Sequence, residues 1–212
     1  MSAPSGPLDW PPAPPDGYRC RDPPSGLPLY ARLLIALWVP FSLLAVLALI
    51  AVAHGLADSL QLFVTFVPHN FAAIALYAGW ILSLVILLVV IHELLHVLAA
   101  TLLGYDVAMQ VHASTRLDWE VSVITFGRCQ TRLETAVIAL APLAVITPFG
   151  IAALAFGGDG LVVAAAVLLA VNTAGSVADI RTVLLMLSLP AGELVRHDGR
   201  GRRQYYTQKS TG

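Results

Sequence analysis

The stretch that organises this chain is His92-Glu93-Leu94-Leu95-His96, which lies near the end of a long apolar run. On an α-helix, residues four apart lie on one face, so the imidazoles of His92 and His96 can meet at one metal ion. Glu93 follows one residue round the helix, where a carboxylate can take a proton from water at the metal. This spacing is typical of zinc hydrolases, whose metal usually has three protein ligands.

The surroundings of this motif favour a functional role. Almost every residue from Phe71 to Leu103 is apolar, so the three ionisable side chains are predicted to lie at membrane depth. Ionisable groups are costly there and by default indicate a functional site. The alternative is a polar cluster that joins helices by hydrogen bonds without a metal.

Composition places the chain in the membrane class. Of its 212 residues, 58% are hydrophobic and 12% are charged, and the net charge is -1. A soluble domain carries about 25% charged residues. The near-neutral balance argues against a nucleic-acid partner. Cys20 and Cys129 lack neighbours typical of a metal site and are predicted to be ordinary thiols.

We predict four transmembrane helices within a membrane domain at residues 29–190. They are expected at residues 33–53, 77–103, 133–156 and 161–189, each long enough to cross a hydrocarbon core. Arginines and lysines lie before the first span, between the second and third, and after the fourth. By the positive-inside rule, this predicts a multi-pass protein of the cell membrane with both termini in the cytosol.

The segments outside the spans have their own patterns. Residues 107–112 and 119–126 alternate with a period of two on either side of residues 114–118, which predicts a β-hairpin at residues 106–130, between the second and third helices. Residues 1–28 are rich in proline and residues 191–212 are polar and basic. Both tails are predicted to be disordered and cytosolic. The fold class is therefore mainly α and integral to the membrane, with one inserted hairpin.

A third metal ligand is expected at Asp179. Apart from Glu93 in the motif, the other acidic residues lie in the tails, the connections or the hairpin region, whereas Asp179 lies within the fourth predicted span. It is ten residues from the inner end of that span, and His96 and His92 are seven and eleven residues from the inner end of theirs. The three groups therefore share one level in the inner half of the membrane. The alternatives for Asp179 are a salt bridge to Arg181 or a capping role.

Asn172 has two open interpretations. It lies about two turns above Asp179 on the same side of the helix. Its amide can donate to a substrate carbonyl or oxyanion. It can also tie two helices together by a hydrogen bond, which is the commoner role of such a residue.

These features together resemble a known family. A membrane helix with the histidine motif is followed by a strand-rich insert, a helix with Ala141-Pro142, and a helix that reads Asn-x-x-Gly-Ser-x-x-Asp at 172–179. The combination resembles the putative zincin peptidases, and more distantly it is similar to site-2 intramembrane metalloproteases. The resemblance covers roughly residues 77–189. It implies Zn²⁺ held by His92, His96 and Asp179, with Glu93 as the general base.

The chain departs from the site-2 pattern beside the third ligand. Site-2 enzymes usually carry that ligand in an Asn-Pro-Asp-Gly type of segment, whereas here Ile180 follows Asp179 and Asn172 lies seven residues upstream. The metal site is therefore better supported than site-2-like handling of substrates.

The predicted function is a zinc-dependent intramembrane peptidase that cleaves a membrane protein or peptide at or near the cytosolic side. An extended substrate is expected to add as a strand to the edge of the hairpin. The alternative is a catalytically inactive membrane adaptor that binds metal. Metal transport ranks last, because the outer halves of the spans offer almost no polar groups to line a path.

Overall fold

The apolar runs of the sequence form helices, and the shorter alternating runs form strands. The structure is a computed structural model that describes residues 14–24, 26–55, 71–113, 119–126, 128–197 and 203–209. Within these residues the helices are α1 Leu29–His54, α2 Phe71–Leu102, α3 Arg132–Phe156, α4 Asp159–Gly175 and α5 Val177–Ser188. The strands are β1 Tyr18–Arg21, β2 Asp106–Ala113, β3 Trp119–Phe126, β4 Gln130–Thr131, β5 Leu194–His197 and β6 Arg203–Gln208.

Three of the helices are long and apolar enough to cross a membrane. They are α1, α2 from Ile74 onward, and α3, and they coincide with the first three predicted spans. Their outer surfaces are apolar too, as the 64% exposure of Phe41 and the 77% exposure of Leu76 show. A helix that is hydrophobic on all sides fits a lipid environment, because water would not solvate such a surface.

The fourth predicted span is divided in the structure. The sequence predicted one helix over residues 161–189, whereas α4 ends at Gly175 and α5 begins at Val177, with a bend of 44°. Gly-Ser pairs are a common cause of such kinks, and Gly175-Ser176 lies at this one. Neither α4 nor α5 alone is long and apolar enough to cross a membrane, whereas the two together are. A fourth span therefore stays a prediction.

The chain divides into two compact units, and the first is helical. It consists of residues 28–96 and 139–181. Its core joins α1, α3 and α4 through the buried residues Ile50, Leu154, Val162, Ala165, Ala166 and Leu169. Packing is close at Gly150, where an added Cβ would lie 2.5 Å from Leu169 Cδ2. Gly150 thus lies directly against the side chain of Leu169.

The second unit holds both sheets and consists of residues 1–27, 97–138 and 182–212. One sheet has four antiparallel strands in the order β1-β6-β5-β4. In its register Tyr205 lies opposite both Arg21 and Val195. Glu134 and Thr131 exchange hydrogen bonds at the beginning of α3, 2.8 and 3.2 Å long, in the arrangement of a capping box.

The prediction that both tails are disordered is wrong where the structure describes them. Residues 18–21, 194–197 and 203–208 are strands of the four-stranded sheet. Tyr205 and Tyr206 are 5% and 0% exposed, and Arg21 forms an ion pair with the buried Glu193. These strands are too short to show a period of two, and each needs a partner from a distant part of the chain. Residues 1–13 of the proline-rich tail lie outside the described residues.

The predicted hairpin is present in part. β2 and β3 pair antiparallel, with Val107 opposite Thr125 and Ala113 opposite Trp119. The connecting residues 114–118 lie outside the described part of the chain. The ribbon ends at Phe126 rather than at residue 130, because Gln130 and Thr131 pair with β5 in the other sheet.

Candidate metal centre

Helix α2 places His92 and His96 side by side. Their spacing of four residues brings both imidazoles onto one face, with ring centroids 5.0 Å apart and ring planes at 78°. The residues are 9% and 8% exposed, whereas Leu94, between them in sequence, is 50% exposed. The two rings therefore face the interior of the helical unit, as the motif predicted.

Asp179 approaches both rings from the first turn of α5. Its Oδ2 lies 3.1 Å from His92 Nε2 and its Oδ1 lies 3.3 Å from His96 Nε2. One carboxylate thus spans the two imidazoles from a position 87 residues further along the chain than His92. The exposed Arg181 is not its partner, so the salt bridge weighed from the sequence does not form.

The three side chains have the geometry that one metal ion requires. Their ligand atoms all lie within 4.8 Å of one another. Two ligand atoms about 2.1 Å from a tetrahedral zinc ion lie about 3.4 Å from each other, close to the distances observed here. Two imidazoles and a carboxylate also form a donor set that zinc accepts, with room for a fourth ligand. The residues present therefore fit a zinc ion.

Asn172 contacts the outer side of His92. Its Oδ1 lies 3.1 Å from His92 Nδ1, and the residue is 2% exposed. When Nδ1–H donates to this oxygen, the lone pair of His92 Nε2 points away from Asn172 toward Asp179. Such outer contacts fix the tautomer and orientation of metal-binding histidines. The bond also ties α4 to α2, which is one of the two roles predicted for Asn172.

Two buried polar atoms near this contact have no hydrogen-bond partner among the described residues. They are Asn172 Nδ2 and Ser176 Oγ, which are one helical turn apart on the same chain segment. A buried donor without a partner is uncommon and calls for an explanation. The free donor of Asn172 leaves room for the substrate contact that the sequence suggested.

Glu93 lies beside the ligand set without joining it. It is half-buried on α2, and its carboxylate interacts electrostatically with His96, His92 and Asp179. The carboxylate that meets the two imidazoles is that of Asp179 rather than that of Glu93. From its position, the Glu93 carboxylate can exchange a proton with a water molecule at the site.

One contributor to the site's surroundings has no clear signal in the sequence. Trp38 of α1 donates from Nε1 to the carbonyl oxygen of Thr173 at 3.1 Å. A buried tryptophan N–H usually finds an acceptor, but the sequence does not say which one. The contact reaches the last turn of α4, one residue after Asn172.

Comparison with known proteins places the chain in a family. The model of the family described as putative zincin peptidase matches residues 85–194, just over half of the chain, so the protein belongs to that family. The match contains the histidine motif, Asn172 and Asp179 and begins after α1. Neither the curated proteins nor the solved structures contain a significant match. The resemblance to the putative zincin peptidases is thus confirmed, and membership indicates a metallopeptidase.

Proposed function

We propose that this protein is a zinc-dependent intramembrane peptidase of the site-2 type. The observation that carries the proposal is the convergence of Asp179 Oδ1 and Oδ2 on His96 Nε2 and His92 Nε2, at 3.3 and 3.1 Å. The neighbouring Glu93 completes a set of ligands and base that hydrolytic zinc sites share. Membership of the family supports the same reaction class.

Each residue has a distinct role in this proposal. His92, His96 and Asp179 hold the zinc ion. The bound ion supplies Lewis acidity toward a peptide carbonyl and a water molecule. Glu93 takes the proton from that water and passes it to the amine that leaves. Asn172 orients His92 through Oδ1, and its free Nδ2 is a donor for the substrate carbonyl.

The membrane setting is part of the proposal. The apolar surfaces of α1, α2 and α3 support an embedded helical unit. The arginines at the chain's ends and between α2 and α3 support a multi-pass arrangement with both termini in the cytosol. Cleavage would then occur toward the cytosolic side, where water has the shorter path to the site.

The proposed substrate is a membrane protein or peptide in an extended conformation. A peptide bond within a helix is already hydrogen-bonded and must unwind before attack. The two-stranded sheet of β2 and β3 supports this choice, because each of its strands has one partner within that sheet. A free edge of such a ribbon can accept a further strand.

The test separates metal binding from turnover. Purified wild-type protein is expected to contain one zinc ion per chain, and Asp179→Ala is expected to lose it, as measured by elemental analysis. Glu93→Gln should retain zinc but abolish cleavage of single-span reporter proteins co-expressed with the enzyme, because the amide cannot accept the proton. Zinc without cleavage by the wild-type protein in that screen would favour the inactive adaptor. Unchanged cleavage by Glu93→Gln would remove Glu93 from the mechanism.

A further inference from the structure

The direction of α5 determines where the Asp179 carboxylate lies. Asp179 is the third residue of α5 and follows closely on the break at Ser176, where α4 and α5 meet at 44°. Without this bend the carboxylate would leave the position in which it meets both imidazoles. What stabilises the bend therefore also stabilises the ligand set.

The break leaves the carbonyl of Thr173 without its usual partner. In an uninterrupted helix this oxygen would accept from the N–H of Val177, four residues on. Here Val177 begins α5, and the oxygen instead accepts from Trp38 Nε1 at 3.1 Å. Thr173 is 8% exposed and Trp38 is half-buried, so this contact is partly buried. A buried carbonyl without a partner is unfavourable, which makes this substitute donor important.

Trp38 is held in place by the packing of α1 on α4. Ile50 of α1 lies in one buried cluster with Val162, Ala165 and Leu169 of α4. Trp38 lies about three helical turns from Ile50 on α1 and meets α4 at its last turn. The Ile50 cluster and the Trp38 hydrogen bond together hold α1 against α4. The position of the indole beside the break therefore depends on residues that lie far from the break.

We propose that Trp38 is a positioning residue for the metal centre: its N–H replaces the lost helical donor at Thr173 and so stabilises the bend that brings Asp179 to the two histidines. The proposal rests on the metal-binding part of the function proposed above. A continuous α4–α5 helix would pair Thr173 with Val177, so the bond to Trp38 favours the bent form over the straight one. This gives α1, which lies outside the family match, a part in building the site.

The test removes the donor and measures metal binding by full-length protein in detergent. In Trp38→Phe the affinity for Zn²⁺, from competition with a chelator, is expected to fall about tenfold. The visible absorption of bound Co²⁺ should lose intensity, because the Asp179 carboxylate is displaced from the two imidazoles in part of the protein. Trp80→Phe is the matched control, since Trp80 is 38% exposed on α2 and packs on Tyr77. It should leave both properties unchanged.

A second variant distinguishes loss of the N–H donor from a change in packing around the ring. Replacing Trp38 by 3-benzothienylalanine keeps the shape of the ring system and puts sulfur where the N–H was. The same loss of affinity and of Co²⁺ absorption would support the proposal. Wild-type values in this variant would overturn it, as would equal losses in Trp38→Phe and Trp80→Phe. Zinc binding without turnover would contradict only the peptidase proposal, whereas a wild-type protein that binds no zinc would overturn both.

Discussion

The contact between Asn172 and His92 offers a sharp test of how the site is built. Replacing Asn172 by leucine keeps the branched shape of the side chain, although leucine is larger, and removes the oxygen that accepts from His92 Nδ1 at 3.1 Å. The imidazole then loses the contact that fixes its tautomer, and Nε2–H becomes a competing form that cannot bind metal. Asn172→Leu is therefore expected to weaken zinc binding rather than to abolish folding.

The magnitude follows from the position of the bond. Loss of an outer partner of a metal-binding histidine typically costs about 10- to 100-fold in metal affinity. Both partners are buried, with Asn172 at 2% and His92 at 9% exposure, so water cannot readily replace the acceptor. We therefore expect a loss of about thirtyfold, which corresponds to about 2 kcal/mol.

The assay is chelator competition for Zn²⁺ with the purified protein, and the control is Ser83→Ala. Ser83 is exposed on α2 and donates from Oγ to the carbonyl oxygen of Gly79 at 2.8 Å, so this variant loses a hydrogen bond outside the ligand set. It should change zinc affinity by less than about threefold. Wild-type affinity in Asn172→Leu, or an equal loss in Ser83→Ala, would refute the reasoning.

Two further predictions concern stability, measured as thermal midpoints in detergent. Gly150→Ala should destabilise the helical unit by about 1–3 kcal/mol, because the new Cβ would lie 2.5 Å from the buried Leu169. Gly79→Ala is the control and should not lower the midpoint, because a Cβ there meets nothing within 4 Å. Equal effects of the two variants would contradict the packing argument. Arg21→Ala should destabilise the sheet unit by about 2 kcal/mol, because it leaves the buried Glu193 carboxylate without its cation. Arg21→Lys keeps the positive charge and should recover part of the lost stability. An unchanged thermal midpoint in Arg21→Ala would show that the pair adds no stability.

Local patterns in the sequence determined much of this protein. Runs of apolar residues predicted α1, α2 and α3, because a helix satisfies its own backbone hydrogen bonds whatever it packs against. The alternation in residues 107–125 predicted the pairing of β2 with β3 for a similar reason, since the two strands are close in sequence. The spacing of His92 and His96 placed both rings on one face through helix geometry alone.

The tertiary structure decided what depends on distant partners. The bend at Ser176 brings Asp179 to the imidazoles. The hydrogen bond next to this bend, from Trp38 Nε1 to the carbonyl oxygen of Thr173, joins residues 135 apart. The strands at the two ends of the chain form because β6 pairs with β1 on one side and with β5 on the other, although β1 and β6 are short. Position along a helix could predict that Asp179 lies level with the histidines. Contact required the direction of α5, which depends on the bend at Gly175-Ser176 and on packing and hydrogen bonds between helices.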